Sequence, residues 1–209
     1  MDEEIRGIFD LDTFTLKKEC GFSVYKSKDL QKIIIETGIG KSNAAAAAQF
    51  ALQNYPASQY INTGLVGAFN KSLQLGQVIQ VLKCRFFDVD VTPFGYALGQ
   101  LPKCTLVEYP ISQKKIKNTE ITPVFLVSGD TFLNKSELRE KIIRDLSPDV
   151  VDMELASIAH IFYLHGKLAS LTSIKVISDY ADQSSHLDFY DLMKQALTNL
   201  RKYIHGKTK

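Results

Sequence analysis

The chain has 209 residues, 45% hydrophobic and 23% charged, with a formal net charge of +2 from 25 basic and 23 acidic residues. That length suits one domain spanning 1–209 with a sizeable core, and the near balance of charge excludes a nucleic-acid footprint. No apolar run approaches ~18 residues, so no membrane partner is expected; the acidic start Met1-Asp-Glu-Glu lacks a signal-peptide core, and Cys20, Cys84 and Cys104, without metal-ligand spacing, read as reduced thiols of a cytoplasmic protein.

Apolar residues between Asp2 and Leu11 recur roughly at helical spacing. Phe14 to Tyr25 and Lys32 to Glu36 read as strands, with Ile33-Ile34-Ile35 as their most buried part. Gly38-Ile-Gly40 is a turn, and Ser42-Asn43 can cap the helix that runs to about Asn54. The alanines from 44 to 48 give that helix a flat surface, so it should pack closely on a sheet or another helix. Gly40-Lys41-Ser42 is not a phosphate-binding P-loop, because the required earlier glycine position is Ile35.

Tyr60-Ile-Asn-Thr-Gly64 is a strand running into a glycine turn, and Gly64 and Gly67 allow backbone to approach a ligand closely. Two glycines in an ordinary loop explain the same residues. Gln77 to Asp90 is rich in strand formers, and Thr92 to Pro102 is a long loop with aromatic and apolar residues, as expected of a segment that covers a site or meets a partner. Pro123 to Val127 is a further strand, ending in Ser128-Gly-Asp-Thr-Phe-Leu133. Val150-Val-Asp-Met-Glu154 turns abruptly acidic, and Glu154 opens a helix where the dipole favours its charge. His160, inside that helix, reads as a core histidine. Ser173 to Phe189 begins with an apolar run, Ile174 to Ile177, broken only by Lys175, which fits a buried strand. Asp179 follows at its end, where it serves either as a working carboxylate or as a helix cap. Asp188 to Ile204 is a closing amphipathic helix. Strands alternating with helices indicate an α/β fold.

Several motifs then line up in one order: Glu36-Thr-Gly-Ile-Gly-Lys41, Ile61-Asn-Thr-Gly64, Phe87-Asp-Val-Asp-Val-Thr92 with Phe94-Gly-Tyr96, Ser128-Gly-Asp130, Val151-Asp-Met-Glu154 and Ile177-Ser-Asp-Tyr-Ala-Asp182. Together they resemble the 5′-methylthioadenosine/S-adenosylhomocysteine nucleosidases of the nucleoside phosphorylase fold group. The resemblance implies a three-layer α/β/α fold around a central mixed, barrel-like twisted sheet. It implies a homodimer that hydrolyses an adenine N-glycosidic bond with no metal and no cofactor. By that resemblance Asp179 is the general acid on adenine N7, and Glu4 orients and deprotonates the attacking water. Glu154 binds the ribose hydroxyls beside Met153. Phe132 stacks near the purine, and Leu133 offers its backbone. Val66, Gly67 and Ser178 complete the substrate-binding set. Ile39, Phe189 and Met1 line the 5′-alkylthio pocket, which Val91, Phe94 and Pro102 close from the neighbouring subunit.

Two carboxyl groups suit this chemistry, one donating a proton to the leaving base and one handling water, as in inverting glycosidases. Asp179 must carry a proton to act, which burial favours. An apolar 5′ pocket favours a thioether over a hydroxyl. The chain departs from the family pattern in three places. The first family strand is apparently missing ahead of Met1, which would leave Glu4 mobile. Leu65 stands where the family has a serine that holds the water. Lys175 stands for an arginine, keeping charge but losing the fork. All three fall on the water side, so base binding is expected to persist and turnover to be reduced. The alternatives are a phosphorolytic purine nucleoside phosphorylase and a catalytically weakened nucleoside-binding homologue.

Overall fold

In the computed structural model, residues 2–114, 121–182 and 189–206 are described, the last stretch with side chains from 192 onward. The chain opens with helix α1 (Asp2–Ile8) and an antiparallel sheet of β1 (Phe14–Glu19), β2 (Phe22–Ser27) and β3 (Ile33–Ile35). The run from Phe14 to Tyr25 is therefore a hairpin. Cys20 and Gly21 both take positive φ, 50° and 88°, which matches the twist a two-residue hairpin turn requires.

Helix α2 (Lys41–Asn54) follows, then β4 (Tyr60–Ala68), β5 (Val78–Phe86), β6 (Tyr109–Pro110) and β7 (Thr122–Ser128). Helix α3 (Ser136–Leu146), β8 (Val150–Asp152), α4 (Leu155–Leu164), β9 (Leu171–Asp179) and α5 (Phe189–His205) complete the order. The second sheet runs β6-β5-β7-β8-β4-β9, and β9 pairs back onto β5. Five strands thus close into a barrel of mixed direction. β4 lies parallel to β9 and antiparallel to β8, and β5 lies parallel to β7 and antiparallel to β9. Closure leaves β9 with no exposed residue along its length. That explains why its sequence reads as a near-continuous apolar run rather than an alternating one.

Helices cover the barrel. The alanine face of α2, with Ala44, Ala47 and Ala48 buried, packs against α4, which presents Ala156 and Ala159. Small residues on both sides allow the close approach that the alanine run predicts. The cap of α2 differs from expectation. The helix starts at Lys41 with Gly40 as its N-cap, φ 91°, and the Asn43 side chain donates back to the Ile39 carbonyl. A positive φ at residue 40 favours glycine over the serine or asparagine expected to cap there. On the other side, α5 packs on β9 and on α1, gathering Ile8, Ile174, Val176, Met193, Ala196, Leu197 and Leu200. A side chain at Gly7 would sit 2.7 Å from Leu197 Cδ1, so glycine there lets α1 settle onto α5.

Candidate active site

The paired strands β4 and β9 set out the first functional group. Register along the pair shifts between Val66 and Gly67, so Gly67 meets Asp179 directly. A Cβ at Gly67 would lie 2.9 Å from Asp179 Oδ1 and 3.0 Å from Ala181 Cβ. Glycine is therefore what lets this carboxyl fold back over the strand. Asp179 is 7% exposed. Its Oδ2 accepts from Ser178 Oγ at 2.7 Å and its Oδ1 from Ala181 N at 2.7 Å. Ser178 Oγ also reaches the Val66 carbonyl at 3.2 Å.

The last residue of β8 is the second group. Asp152 is buried, and its carboxylate accepts from Ser128 Oγ at 2.6 Å and from the Glu154 and Leu155 amides at 3.2 Å. It is thus Asp152 that caps α4, because the dipole-facing amides lie under it. Glu154 stands at the helix start as expected, but its side chain makes no cap hydrogen bond. Glu154 reaches across to α2 and accepts from Gly40 N at 3.0 Å, with Met153 N at 3.2 Å on its other oxygen. Burial and then the nearby Asp152 charge push its carboxyl up to about 7, against the pull of Lys175 and the two amides.

Lys175, 2% exposed, forms the ion pair of this interior, with Nζ 3.0 Å from Asp152 Oδ2. Burial acts to lower its pKa, but the charges of Asp152, Glu154 and Glu4 outweigh it and the ammonium titrates above its ordinary value.

Glu4 arrives from α1. Its Oε1 accepts from Leu65 N at 3.2 Å and lies 3.1 Å from where a Gly64 Cβ would be. Ile5 and Ile8 of the same helix are buried, which seats α1 and with it Glu4 at this position. The Leu65 side chain packs against the cluster that α5, β9 and Ile8 build, and its backbone amide is what meets Glu4.

The remaining candidates form the surroundings. Val66 is buried beneath Gly67, and Leu133 is buried in the cluster of Phe69, Phe87 and Val127. Phe132 and Ile39 are half exposed, and Met153 is partly buried. Val91 is partly exposed, Pro102 exposed and Phe94 81% exposed, all on the long segment after β5. Met1 and the Phe189 side chain lie outside the described residues. His160 accepts or donates at Tyr109 OH, 2.9 Å from Nδ1, and stacks on Tyr163; burial lowers its pKa, as befits a histidine packed into a helix face.

Sequence reasoning did not anticipate the roles of Asp152 and Ser128 or the joining of Lys41, Asp88 and Asp130. Lys41 Nζ pairs with Asp88 Oδ2 at 2.6 Å, and Asp130 N donates to the same oxygen at 2.9 Å. Lys41 N donates to Asp130 Oδ1 at 2.7 Å. The available signal was a lysine in one motif and aspartates in two others, with nothing in the sequence to pair them. Among the described residues no group of three or more His, Cys, Asp or Glu is arranged to hold a metal ion, and no helix is long and apolar enough to cross a membrane.

Residues 3–206 match the model of the phosphorylase superfamily. The chain is 32% identical over 192 residues to a 5′-methylthioadenosine/S-adenosylhomocysteine nucleosidase of Glaesserella parasuis, covering 87% of this chain and 83% of that protein. Among solved structures it is similar to the Neisseria meningitidis 5′-methylthioadenosine/S-adenosylhomocysteine nucleosidase in complex with methylthio-immucillin-A. The TM-score is 0.85 at 28% identity, over 98% of this chain and 93% of that one. The futalosine hydrolase of Helicobacter pylori shares the fold, with a TM-score of 0.87 at 21% identity over 99% and 93% of the two chains. The barrel, the helices around it and these likenesses agree: the chain belongs to the phosphorylase superfamily and, within it, to the 5′-methylthioadenosine/S-adenosylhomocysteine nucleosidase family of N-glycosyl hydrolases.

Proposed function

We propose that this protein hydrolyses the N-glycosidic bond of 5′-methylthioadenosine and S-adenosylhomocysteine, releasing adenine and a 5-thioribose derivative. The observation that carries the reading is a set of three carboxyl groups: Glu4 and Asp179 lie against Gly64 and Gly67 of β4, and Glu154 shares with Glu4 the charge of Lys175. Asp179 gives a proton to adenine N7 as the bond to the sugar breaks. Glu154 takes the ribose hydroxyls, and Glu4 removes a proton from the water that attacks the sugar. Donation by a positioned acid is worth roughly 10²–10⁴ in rate. Phe132 and Leu133 serve the base, Ile39 with Met1 and Phe189 the 5′ substituent. Val91, Phe94 and Pro102 close the neighbouring site in a homodimer, which is why Phe94 stands so far out from its own chain. The reading places the enzyme in the cytoplasm, as part of methionine salvage.

Hydrolysis fits better than phosphorolysis. A helix N-terminus is a natural anion site, but here Glu154 and Asp130 already occupy the Gly40 and Lys41 amides of α2. Arg85 faces Glu108 and Arg139 holds the Phe69 carbonyl, so neither is offered to a phosphate.

The test is adenine release from methylthioadenosine by the purified protein, in phosphate-free buffer and with phosphate added. Release independent of phosphate is expected, and its rate measures what Leu65 and Lys175 cost. Release only with phosphate would make the enzyme a phosphorylase. Release from a different 5′-substituted adenosine alone would keep the chemistry and change the specificity. Binding without release would leave a nucleoside-binding homologue.

A further inference from the structure

Three sequence motifs meet at one point on the rim of the site. Lys41 opens α2, Asp88 follows β5, and Asp130 follows β7. The Lys41 ammonium binds Asp88 Oδ2 at 2.6 Å, the Asp130 amide binds the same oxygen at 2.9 Å, and the Lys41 amide binds Asp130 Oδ1 at 2.7 Å. The three residues therefore form a closed ring of hydrogen bonds. The Lys41 and Asp88 side chains are only 24% and 22% exposed, and the Lys41 ammonium lies 5.7 Å from the Phe86 ring centre. The geometry around the ring leaves little slack. A Cβ at Gly40 would sit 2.9 Å from Asp130 Oδ1, and one at Gly129 2.5 Å from Phe87 Cζ.

What the ring ties together gives it meaning. Asp130 lies two residues before Phe132, on the segment assigned above to the purine. Gly40, next to Lys41, donates to Glu154, the group assigned to the ribose. We propose that Lys41, acting through Asp88 and Asp130, is a positioning residue that holds the base-binding segment and Glu154 at fixed separation, so that it sets affinity for the nucleoside rather than the rate of bond breaking. The inference rests on the nucleosidase reading for the identity of the ligand. A side chain that pre-organises ground-state contacts changes KM with little change in kcat.

The experiment compares Lys41→Met, Asp88→Asn, the double variant and Lys41→Arg with the wild-type protein. It measures kcat and KM for methylthioadenosine and, independently, the Kd of adenine by calorimetry. Each single charge removal is expected to raise KM and the adenine Kd about tenfold while kcat stays within about threefold. The double variant should be no worse than the worse single one, because the two residues act as a pair. Lys41→Arg should return both constants to within about threefold, since arginine also reaches a carboxylate. Melting temperatures should stay within about 3 °C, as the pair is near the surface. Unchanged KM and Kd in Lys41→Met would overturn the proposal, as would multiplying effects in the double variant. If the wild-type protein binds adenine but releases none from methylthioadenosine, the reaction reading fails and the adenine Kd values still judge the ring. Wild-type protein that binds no adenine would overturn both.

Discussion

Glu4 and Lys175 approach the same empty spot above Gly64, with Glu4 Oε1 3.1 Å and Lys175 Nζ 3.7 Å from where a Cβ on residue 64 would be. One carboxylate comes from a helix outside the barrel and one ammonium from a strand inside it. Only the missing side chain lets them see each other. Lys175 feels the Glu4 charge accordingly.

Gly64→Ala should therefore act on catalysis as well as on folding, since residue 64 holds φ 156°, a backbone conformation that strains any side chain. The added methyl displaces Glu4 from the Leu65 amide, and a misplacement of about 1 Å in a catalytic group can cost on the order of 10²-fold. The expected outcome is a fall in kcat of about 10- to 100-fold with KM near that of the wild-type protein, measured by steady-state adenine release. A proportionate rise in KM with unchanged kcat would show that Glu4 is not on the water side.

Lys175 is the cation of a buried pair, and a buried charge left alone is costly. Lys175→Met should lower stability by about 3–5 kcal/mol in urea titration, because Asp152 loses its partner. Adding Asp152→Asn should restore part of the loss. If the double variant is no more stable than Lys175→Met, the pair is not the origin of the effect.

Much of this arrangement was legible beforehand, for physical reasons that differ by residue. The buried run ending at Asp179 identified its strand because a strand covered on all sides has an apolar sequence. The alanines of α2 announced close packing because only a small side chain permits it. Lys175 was read as a weakened arginine, since one residue type says nothing of the aspartate opposite. That aspartate, Asp152, lies 23 positions earlier and reaches it only because β8 and β9 flank β4. Glu4 was expected to be loose for want of a strand. The helix that carries it packs through Ile5, Ile8 and the bare face of Gly7, the last against α5, almost 200 residues along the chain. Long-range packing of that kind leaves no local periodicity to read.

Glu154 predicts a pH dependence in both activity and stability. Its carboxyl is pushed up to about 7 by burial and by Asp152. If the ionised form accepts the ribose hydroxyls, kcat/KM, which reports the free enzyme, should fall as pH drops below about 7, and Glu154→Gln should remove that limb along with much of the affinity. Stability runs the other way. The folded value lies above the ordinary 4.5, so the native state holds a proton that the unfolded chain releases between about 4.5 and 7. The stability this group contributes is complete below about 4.5 and lost as pH rises through about 7. Glu154→Gln should thus gain stability relative to the wild-type protein between pH 5 and pH 8, as followed by thermal melts. Parallel melting curves for the two proteins across that range would contradict the assignment.

Asp179 and Gly67 offer paired substitutions that separate chemistry from geometry. Asp179→Asn keeps an oxygen for the Ala181 amide and a nitrogen that can meet Ser178 Oγ, so the local fold has its partners. It removes the transferable proton. Adenine release should fall by roughly 10²–10⁴, while calorimetry should find methylthioadenosine bound about as tightly as before. Gly67→Ala keeps the carboxyl but drives a methyl to 2.9 Å from Oδ1 and 3.0 Å from Ala181 Cβ. Those distances are too short to persist, so Asp179 and the turn at Ala181, which holds φ 49°, must move together. That variant should lose binding and rate alike. Asp179→Asn with full activity would remove the acid from the mechanism. Gly67→Ala with unimpaired binding would show that the carboxyl can leave its place on the strand without disturbing the site, and the close contact between the two residues would then be packing alone.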